Sequence, residues 1–358
     1  MQVCNSCRYC EGYCAVFPAM ELLRSFTNPD LSYLANLCHN CRGCFYACPY
    51  APPHEFALNL PKTFAQVRNE SYAEYAWPRV LAGVFASNGV VVSLVTVACL
   101  TLIFMISIYF QGPNALYAKH LGSGAFYAVI PFRVMVTVSI VTLGYALLAL
   151  AMGFLNFWKD IGGTIPELFS LSNWQRTFAD VLTLRNLGGG GHGCTDKDET
   201  FSNARRRFHH ALFYGFLLCA ASTTVAAIYD HFLHWIAPYP FVSLPVLLGT
   251  MGGVGMMVGC SGLTWLKLVG DQTPADRNLL GADLALTLLL ALSAFSGLVL
   301  LALRSTEALG ILLALHLSFI LALFLVLPYS KFVHGIYRSG ALLRNSIERR
   351  LGSAPSSE

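Results

Sequence analysis

Charged side chains are scarce in this sequence. Asp, Glu, Lys and Arg make up 12% of its 358 residues, and hydrophobic residues make up 55%. About a quarter of the residues of a typical soluble domain are charged, so the composition excludes an ordinary soluble domain. The formal net charge of +4 is too small to indicate a nucleic-acid partner, and none is expected.

The sequence also lacks three familiar motifs. Residues 1–60 contain no apolar stretch of the kind that forms a signal peptide. No G-x-G-x-x-G fingerprint follows a predicted strand, because residues 188–191 are a plain glycine run, and we therefore expect no flavin or nicotinamide on this chain. No nucleophile–base constellation is found either. Any organic chemistry is therefore expected on a partner protein.

Long apolar runs fill most of the chain after residue 80. Each is long enough for the ~20 residues that cross the hydrocarbon core of a lipid bilayer. We predict six membrane-spanning helices, at residues 81–110, 127–155, 209–235, 241–268, 282–303 and 308–333.

Lysine and arginine are unevenly distributed among the connecting segments. The first 80 residues carry six, the connection 156–207 carries seven and the segment 331–358 carries five, whereas the connections 111–126 and 304–307 contain only Lys119 and Arg304. In a six-span arrangement all the strongly basic segments fall on one side, which the positive-inside rule assigns to the cytoplasm. The sequence predicts a multi-pass membrane protein with both termini cytoplasmic.

Eight of the twelve cysteines lie in the first 48 residues, in two runs with the C-x2-C-x2-C-x3-C spacing of bacterial ferredoxins. Three thiolates of each run bind one [4Fe–4S] cluster, and the fourth binds the other cluster. The predicted ligands are Cys4, Cys7, Cys10 and Cys48 for cluster 1, and Cys38, Cys41, Cys44 and Cys14 for cluster 2. Structural zinc is the alternative, but zinc typically uses two separated pairs of ligands.

Ionisable side chains inside membrane spans are candidates for function. His209 and His210 open the third predicted span, and His231 lies near its end. His316 and His334 are both placed on the last span, 334 − 316 = 18 residues or about five turns apart, so they face the same way. Antiparallel packing brings His334 level with His209 or His210, and it brings His316 level with His231. The pattern predicts two b-type haems with paired histidine ligands; histidines that only donate hydrogen bonds between helices are the alternative.

Residues 188–194 read Gly-Gly-Gly-Gly-His-Gly-Cys within the long connection. The run is compatible with a flexible linker and with a contact surface for a partner or a neighbouring cofactor. The last residues, 352–358, are expected to be disordered.

Together these patterns predict a mainly α protein. Residues 1–79 form a cytoplasmic ferredoxin-like domain with two [4Fe–4S] clusters. Residues 80–336 form a six-helix transmembrane bundle of the cytochrome b type, with a long cytoplasmic loop at 156–207. Residues 337–358 form a cytoplasmic tail.

Two resemblances follow from particular segments. The segment L-P-Y-S-K-F-V-H at residues 327–334, with His316 upstream, resembles the last haem-bearing helix of the nitrate reductase gamma subunit family, which are membrane cytochromes b with two haems. The spacing of the histidines in the other ligand helix departs from that family.

The second resemblance covers nearly the whole chain. The strings C-R-Y-C-E-G-Y-C-A-V-F-P at residues 7–18, the loop 188–194, F-H-H at 208–210 and A-P-Y-P at 237–240 are similar to the tricarballylate utilisation protein B (CitB) family. This resemblance implies a membrane protein with iron–sulfur clusters and haem. It also implies that the protein reoxidises the flavin of a separate FAD-dependent tricarballylate dehydrogenase and passes the electrons to the quinone pool.

Two other functions are compatible with these patterns. One is a quinone-linked subunit of a different dehydrogenase, of the heterodisulfide or succinate type, which the flavoprotein partner would distinguish. The other is a redox sensor or transporter that carries clusters without a haem relay. Purified protein without haem would favour that second class.

Overall fold

The computed structural model describes residues 1–352. These residues form α-helices joined by loops and short 3-10 turns, and β pairing within them is limited to one bridge between Cys194 and Ser202. The predicted disorder of the tail concerns residues outside this range, except for Gly352, which ends a helix.

The N-terminal domain consists of short helices around the cysteine runs. Its helices are α1 Gln2–Cys7, α2 Val16–Met20, α3 Asn28–Leu37, α4 Gly43–Tyr46 and α5 Leu60–Tyr75. Helix α3 begins at a capping box, in which Thr27 and Asp30 satisfy each other's free backbone N–H groups. Helix α4 follows Arg42 in the left-handed conformation, which makes the sharp turn that gathers the second cysteine run.

Within residues 1–352, six helices are long and apolar enough to cross a membrane, which confirms the predicted number of spans. They are α6 Asn88–Gln111, α7 Phe132–Asp160, α10 Ala204–Phe232, α11 Leu244–Val269, α12 Leu280–Leu303 and α13 Leu309–Val326, with α8 Ile165–Leu168 and α9 Leu171–Leu182 between α7 and α10. The first span begins at Asn88 rather than near residue 81, because residues 79–85 form a 3-10 turn.

The last predicted span is interrupted. Helix α13 ends at Val326, residues 327–329 form a 3-10 turn, and a new helix, α14 Val333–Gly352, begins just before His334. Pro328 explains the break, because proline has no N–H to donate and its ring clashes with the preceding turn. The prediction that His316 and His334 lie five turns apart on one helix is therefore wrong, since the two residues lie on different helices.

Helix α14 packs against α3, α7 and α9. The segment described from sequence as a tail is thus helical up to residue 352 and belongs to a shared hydrophobic core. That core also contains Phe17, Leu34, Tyr72 and Phe157. It joins the cysteine domain to one end of the membrane bundle.

Helices α10 and α11 form a tightly packed hairpin, because glycines of α11 face the backbone of α10. A Cβ added at Gly259 would lie 2.5 Å from the backbone nitrogen of Leu212, and one added at Gly252 would lie 2.8 Å from the carbonyl oxygen of Gly215. Small residues let membrane helices approach this closely. This seam fixes the helix that carries His209.

Candidate redox centres

The eight cysteines of the N-terminal domain gather in two sets. Burial raises the pKa of the Cys10 thiol to about 12, and charge on the nearby Cys4 and Cys48 thiols adds to the shift. Burial also raises the pKa of Cys4, and Cys48 and Cys7 add to that shift. Cys48, the last cysteine of the second run, therefore lies with the first three cysteines of the first run.

The second set combines Cys14, the last cysteine of the first run, with the first three cysteines of the second run. Burial raises the pKa of the Cys14 thiol, and charge on Cys41 and Cys38 raises it further. Burial raises the pKa of Cys44 as well, with Cys14 making the next largest contribution. This crossed grouping is the one that the spacing of the two runs predicts.

The donor chemistry of both sets fits an iron–sulfur cluster. Thiols held close together with raised pKa values keep their protons unless a cation binds them. Among residues 1–352 no three His, Cys, Asp or Glu side chains come close enough to hold a single metal ion. Tetrahedral zinc needs four ligands at about 2.0–2.3 Å, whereas a four-iron cluster is larger and takes thiolates that lie farther apart. The preference for clusters over zinc rests on the C-x2-C-x2-C-x3-C spacing of the two runs.

The two sets lie at different depths. Cys7 is exposed to solvent, and so the set with Cys4, Cys10 and Cys48 reaches the surface of the domain. Cys38 and Cys41 are buried, and backbone N–H groups approach their sulfurs, such as that of Asn40 at 3.4 Å from Cys38 Sγ. Hydrogen bonds of this kind tune the reduction potential of clusters.

Residues 188–194 are folded against the cysteine domain and are not a free linker. A Cβ added at Gly190 would lie 2.5 Å from the carbonyl oxygen of Gly12, and φ at Gly190 is +77°, so only glycine fits there. The backbone N–H and the hydroxyl of Thr195 both donate to the carbonyl oxygen of Cys41, at 3.0 and 3.2 Å. The loop thus covers both cysteine runs.

Cys194 is a ninth cysteine in this region, and it is fully buried. Its thiol donates to the carbonyl oxygen of Leu187 at 3.2 Å. Burial raises the pKa of this thiol, and the positive charge of Arg205 offsets part of the rise. Burial raises the pKa of the Cys41 thiol to about 12, and charge on Cys194 is the next largest cause of the rise. Cys194 therefore lies beside the inner set with its own partners, as a neighbour of the ligands.

His209 on α10 and His334 on α14 meet where the cysteine domain joins the bundle. Their ring centroids are 6.1 Å apart and their planes are at 82°. A metal bound to one nitrogen of each ring at ~2.0 Å separates the centroids by about 6 Å, because each centroid lies about 1 Å behind its nitrogen. The two rings are therefore spaced as two histidine ligands of one haem iron would be. His210 lies on another face of α10, with its ring 5.8 Å from that of Tyr214.

The surroundings of His334 hold it in the form that binds metal. Its Nδ1 donates to the carbonyl oxygen of Lys331 at 2.5 Å, which leaves Nε2 as the nitrogen that could bind a metal. Burial lowers the pKa of His334 well below its usual range, and charge on Arg338 adds to the shift. The ring is therefore neutral, as a ligand must be. The Nδ1 atom of His209 is buried and has no hydrogen-bond partner within residues 1–352.

Arginine side chains connect the histidine pair to the inner cysteine set. Arg338 follows His334 by one turn of α14 and donates to the carbonyl oxygen of Cys38 at 3.0 Å. Arg68 of α5 donates to the same oxygen at 2.7 Å. These contacts hold the backbone beside Cys38 against the helix that carries His334.

The other histidine-bearing helix makes an equivalent contact. Arg205 precedes His209 by one turn of α10 and donates to the carbonyl oxygen of Asn40. Its guanidinium also forms an ion pair with Asp196 at 3.7 Å. Both histidine helices are thus anchored through arginine to the loop of residues 38–44. The sequence analysis did not predict the roles of Arg68 and Arg338. The only sequence feature that pointed to Arg338 was its position four residues after His334, on the same face of a helix.

The second predicted pair is not brought together. The ring of His231 lies 5.5 Å from that of Phe132, and its Nδ1 donates to the carbonyl oxygen of Ala227 at 3.0 Å. His316 packs against α12, with Nδ1 3.1 Å from Ser296 Oγ, and a Cβ added at Gly297 would lie 2.9 Å from its Cε1. The two histidines thus have separate neighbours in the part of the chain that the structure describes, and their shared haem remains a prediction.

Comparison with known proteins gives a consistent result. Residues 1–74 match the family model described as the citrate utilization protein B Fer4-like domain, and residues 87–355 match the model of citrate utilization protein B. Citrate utilization protein B of Escherichia coli is 45% identical over 353 residues, which cover 98% of this chain and 92% of that relative. No solved structure gives a significant match. The predicted resemblance to the CitB family is thereby confirmed, and the chain belongs to the citrate utilization protein B family.

Proposed function

We propose that this chain takes electrons from the reduced flavin of a partner, an FAD-dependent tricarballylate dehydrogenase, and delivers them to the quinone pool. The groups that it would hold for this purpose, two [4Fe–4S] clusters and b-type haem, accept and release electrons one at a time. The observation that carries the proposal is the continuity of the sites. An exposed cysteine set, a buried cysteine set and a histidine pair follow one another, and arginine contacts join the last two.

The chain's own residues give this path a direction. Cys4, Cys7, Cys10 and Cys48 would hold the cluster nearer the surface, where Cys7 is exposed and a flavoprotein could approach. Cys14, Cys38, Cys41 and Cys44 would hold the inner cluster. His209 and His334 would hold a haem at the adjoining end of the bundle. The second haem, between His231 and His316, stays a prediction outside this proposal.

The substrate of the partner is inferred from the family. The curated relative is named for the utilization of citrate, a tricarboxylate, and tricarballylate is a member of the same chemical class. The chemistry on the tricarboxylate belongs to the flavoprotein, so this chain serves as its electron-transfer subunit.

The proposed location is the bacterial inner membrane, with both termini and the cysteine domain in the cytoplasm. Packing supports this orientation, because α9 from the basic connection and α14 from the basic C-terminal segment contact each other, and α14 contacts α3 of the cysteine domain. The segments rich in lysine and arginine therefore lie at one end of the bundle, as the positive-inside rule requires.

The test is reconstitution. Vesicles containing the purified chain would be mixed with the tricarballylate dehydrogenase, tricarballylate and a short-chain quinone, and quinol formation would be followed optically. We expect quinol formation only when both proteins and the substrate are present, and we expect Cys48→Ser to abolish it. Quinol formation by the flavoprotein alone at the same rate would overturn the proposal.

A further inference from the structure

Helix α9, Leu171–Leu182, carries a row of large apolar side chains on the outside of the protein. Leu171 is 73% exposed, Phe178 is 51% exposed and Leu182 is 44% exposed. Their positions differ by seven and four residues, which places all three on one face of an α-helix. Exposed apolar surface that is gathered in this way marks a contact with a membrane or with another protein.

The other faces of α9 have different surroundings. Asn173 and Thr177, one turn apart, are buried, and the helix packs against α14. Arg350 of α14 donates to the hydroxyl of Ser172 at 2.6 Å. Arg176 lies on a third, polar face and is exposed. The apolar row is thus separate from the face that the protein covers and from the polar face.

Helix α9 ends beside the flank of the membrane-spanning helix α10. The Tyr214 hydroxyl of α10 donates to the carbonyl oxygen of Leu182 at 2.8 Å. One residue further on, the carbonyl oxygen of Thr183 accepts from Arg206 at 2.8 Å. Helix α10 has 29 residues, or about 43 Å, against ~30 Å for the hydrocarbon core of a bilayer. Tyr214 lies about 15 Å from the start of α10 at Ala204, so in a centred span the boundary of the core falls between these two residues.

The apolar row meets the exposed side of α10 at this contact. Tyr214 and Leu217 of α10 are exposed, and exposed apolar side chains of a membrane-spanning helix face lipid. Because Tyr214 is bonded to Leu182, lipid that covers this side of α10 also reaches the end of the apolar row. Trp174 stacks on Phe178 with ring centroids 5.1 Å apart, and tryptophan is enriched where a membrane meets water. These contacts favour lipid over a soluble protein as the partner of the row.

Positive charge predominates next to the apolar row. The charged side chains of residues 171–185 are Arg176, Asp180 and Arg185. Asp180 lies 3.9 Å from Arg185, and the last turn of α14, the helix against which α9 packs, adds Arg349 and Arg350. Basic side chains near a membrane surface attract anionic headgroups. The charges therefore favour an anionic lipid surface.

We propose that α9 lies in the interface of a membrane leaflet, with the apolar row among the acyl chains and its arginines among anionic headgroups. The leaflet is the one nearest the cysteine domain, because α14 packs against both α9 and α3. Amphipathic helices with tryptophan, phenylalanine and leucine on one face and arginine on another bind in this way. This inference goes beyond the proposed electron transfer and does not depend on it. The interface thereby supports α14, the helix that carries His334.

The test is photo-crosslinking of the full chain in nanodiscs made of equal parts of phosphatidylglycerol and phosphatidylcholine. The photoreactive amino acid p-benzoylphenylalanine replaces one residue at a time, and mass spectrometry identifies the molecule to which it is linked. Replacement of Phe178 and, separately, of Leu171 tests the apolar row. The matched control is Arg176 on the polar face of the same helix, and Leu217 on α10 is the positive control for a side chain that faces lipid.

We expect lipid adducts at positions 178 and 171 with yields close to that at position 217, and few at position 176. The same variants are irradiated in the membranes of the cells that produce them, where lipid adducts are again expected. Absence of lipid adducts at both 178 and 171, while position 217 gives them, would overturn the proposal. Adducts with another protein at these two positions in the cell membranes would also overturn it, because α9 would then be a protein-docking surface.

The preference for anionic lipid has its own measurement. With the crosslinker at position 178, Arg176→Gln should lower the ratio of phosphatidylglycerol to phosphatidylcholine adducts about fivefold, the effect of one basic side chain at a membrane surface. Arg277→Gln, which removes an exposed arginine from the connection between α11 and α12, should leave the ratio unchanged. A ratio that is the same in Arg176→Gln and in the parent would overturn the anionic preference.

Discussion

Substitution of Gly259 by alanine tests the link between helix packing and the histidine pair. The added Cβ would lie 2.5–2.7 Å from the N, Cβ and Cα atoms of Leu212, which follows His209 by one turn of α10. An ordinary carbon contact needs about 3.5 Å, so α10 and α11 must separate by about 1 Å. The helix that carries His209 therefore moves relative to His334.

The energy follows from two opposing effects. Forcing an extra methyl group into a packed interface costs about 1–3 kcal/mol, whereas replacing glycine by alanine inside a helix gains about 1 kcal/mol. Gly144→Ala in α7 is the matched control, because its Cβ meets nothing within 4 Å and only the gain applies. The difference between the two variants isolates the steric cost, and we expect Gly259→Ala to be less stable than Gly144→Ala by about 1–3 kcal/mol.

The assay is denaturant unfolding of the two variants in the same detergent, followed by circular dichroism, with the haem content measured on each sample. Gly259→Ala should also bind less haem, while Gly144→Ala binds the parent amount. Equal stability and equal haem content in the two variants would refute the packing argument.

Three further pairs of substitutions, each a variant with its control, test the histidine pair, the cysteine ligands and the Asp283 ion pairs. His209→Leu should lose haem, because the His209 ring lies beside that of His334, whereas His210→Leu should keep haem. Pyridine haemochrome assays measure the haem content, and equal loss in both variants would contradict the assignment of His209. Cys48→Ser should lose the cluster held with Cys4, Cys7 and Cys10, whereas Cys194→Ser should keep the parent iron content. Iron analysis measures both, and a loss of iron in Cys194→Ser would instead make Cys194 a ligand. Asp283→Asn leaves Lys267 and Lys331 without their shared carboxylate and should lower the free energy of unfolding by about 2–3 kcal/mol. Denaturant unfolding measures the loss against the exposed control Glu307→Gln, and equal stability of the two variants would exclude a structural role for these ion pairs.

Much of the architecture follows from local patterns in the sequence. Six long apolar runs predict six spans because a bilayer core sets a minimum helix length. The ferredoxin spacing likewise determines which thiols can share a site, since a loop of two residues between cysteines leaves few geometries. Both kinds of information are contained within short stretches of chain.

Other features depend on contacts between distant segments. The five-turn register of His316 and His334 was wrong because Pro328 ends α13, and yet His334 still meets His209 through the separate packing of α14. The choice between His209 and His210 depends on the rotation of α10, which the glycines of α11 set. The contact of Arg338 with Cys38 spans 300 residues of sequence, and no periodicity predicts it.

The central claim is that the chain holds two four-iron clusters and haem. A dithionite-reduced minus oxidised optical spectrum of the detergent-purified protein, with haem and iron quantified on the same sample, tests it most directly. The account predicts about eight non-haem irons, two clusters of four, together with at least one b-type haem per chain. Iron–sulfur clusters without haem would contradict the relay and favour a redox sensor or transporter, and zinc in place of iron would contradict the assignment of the cysteines.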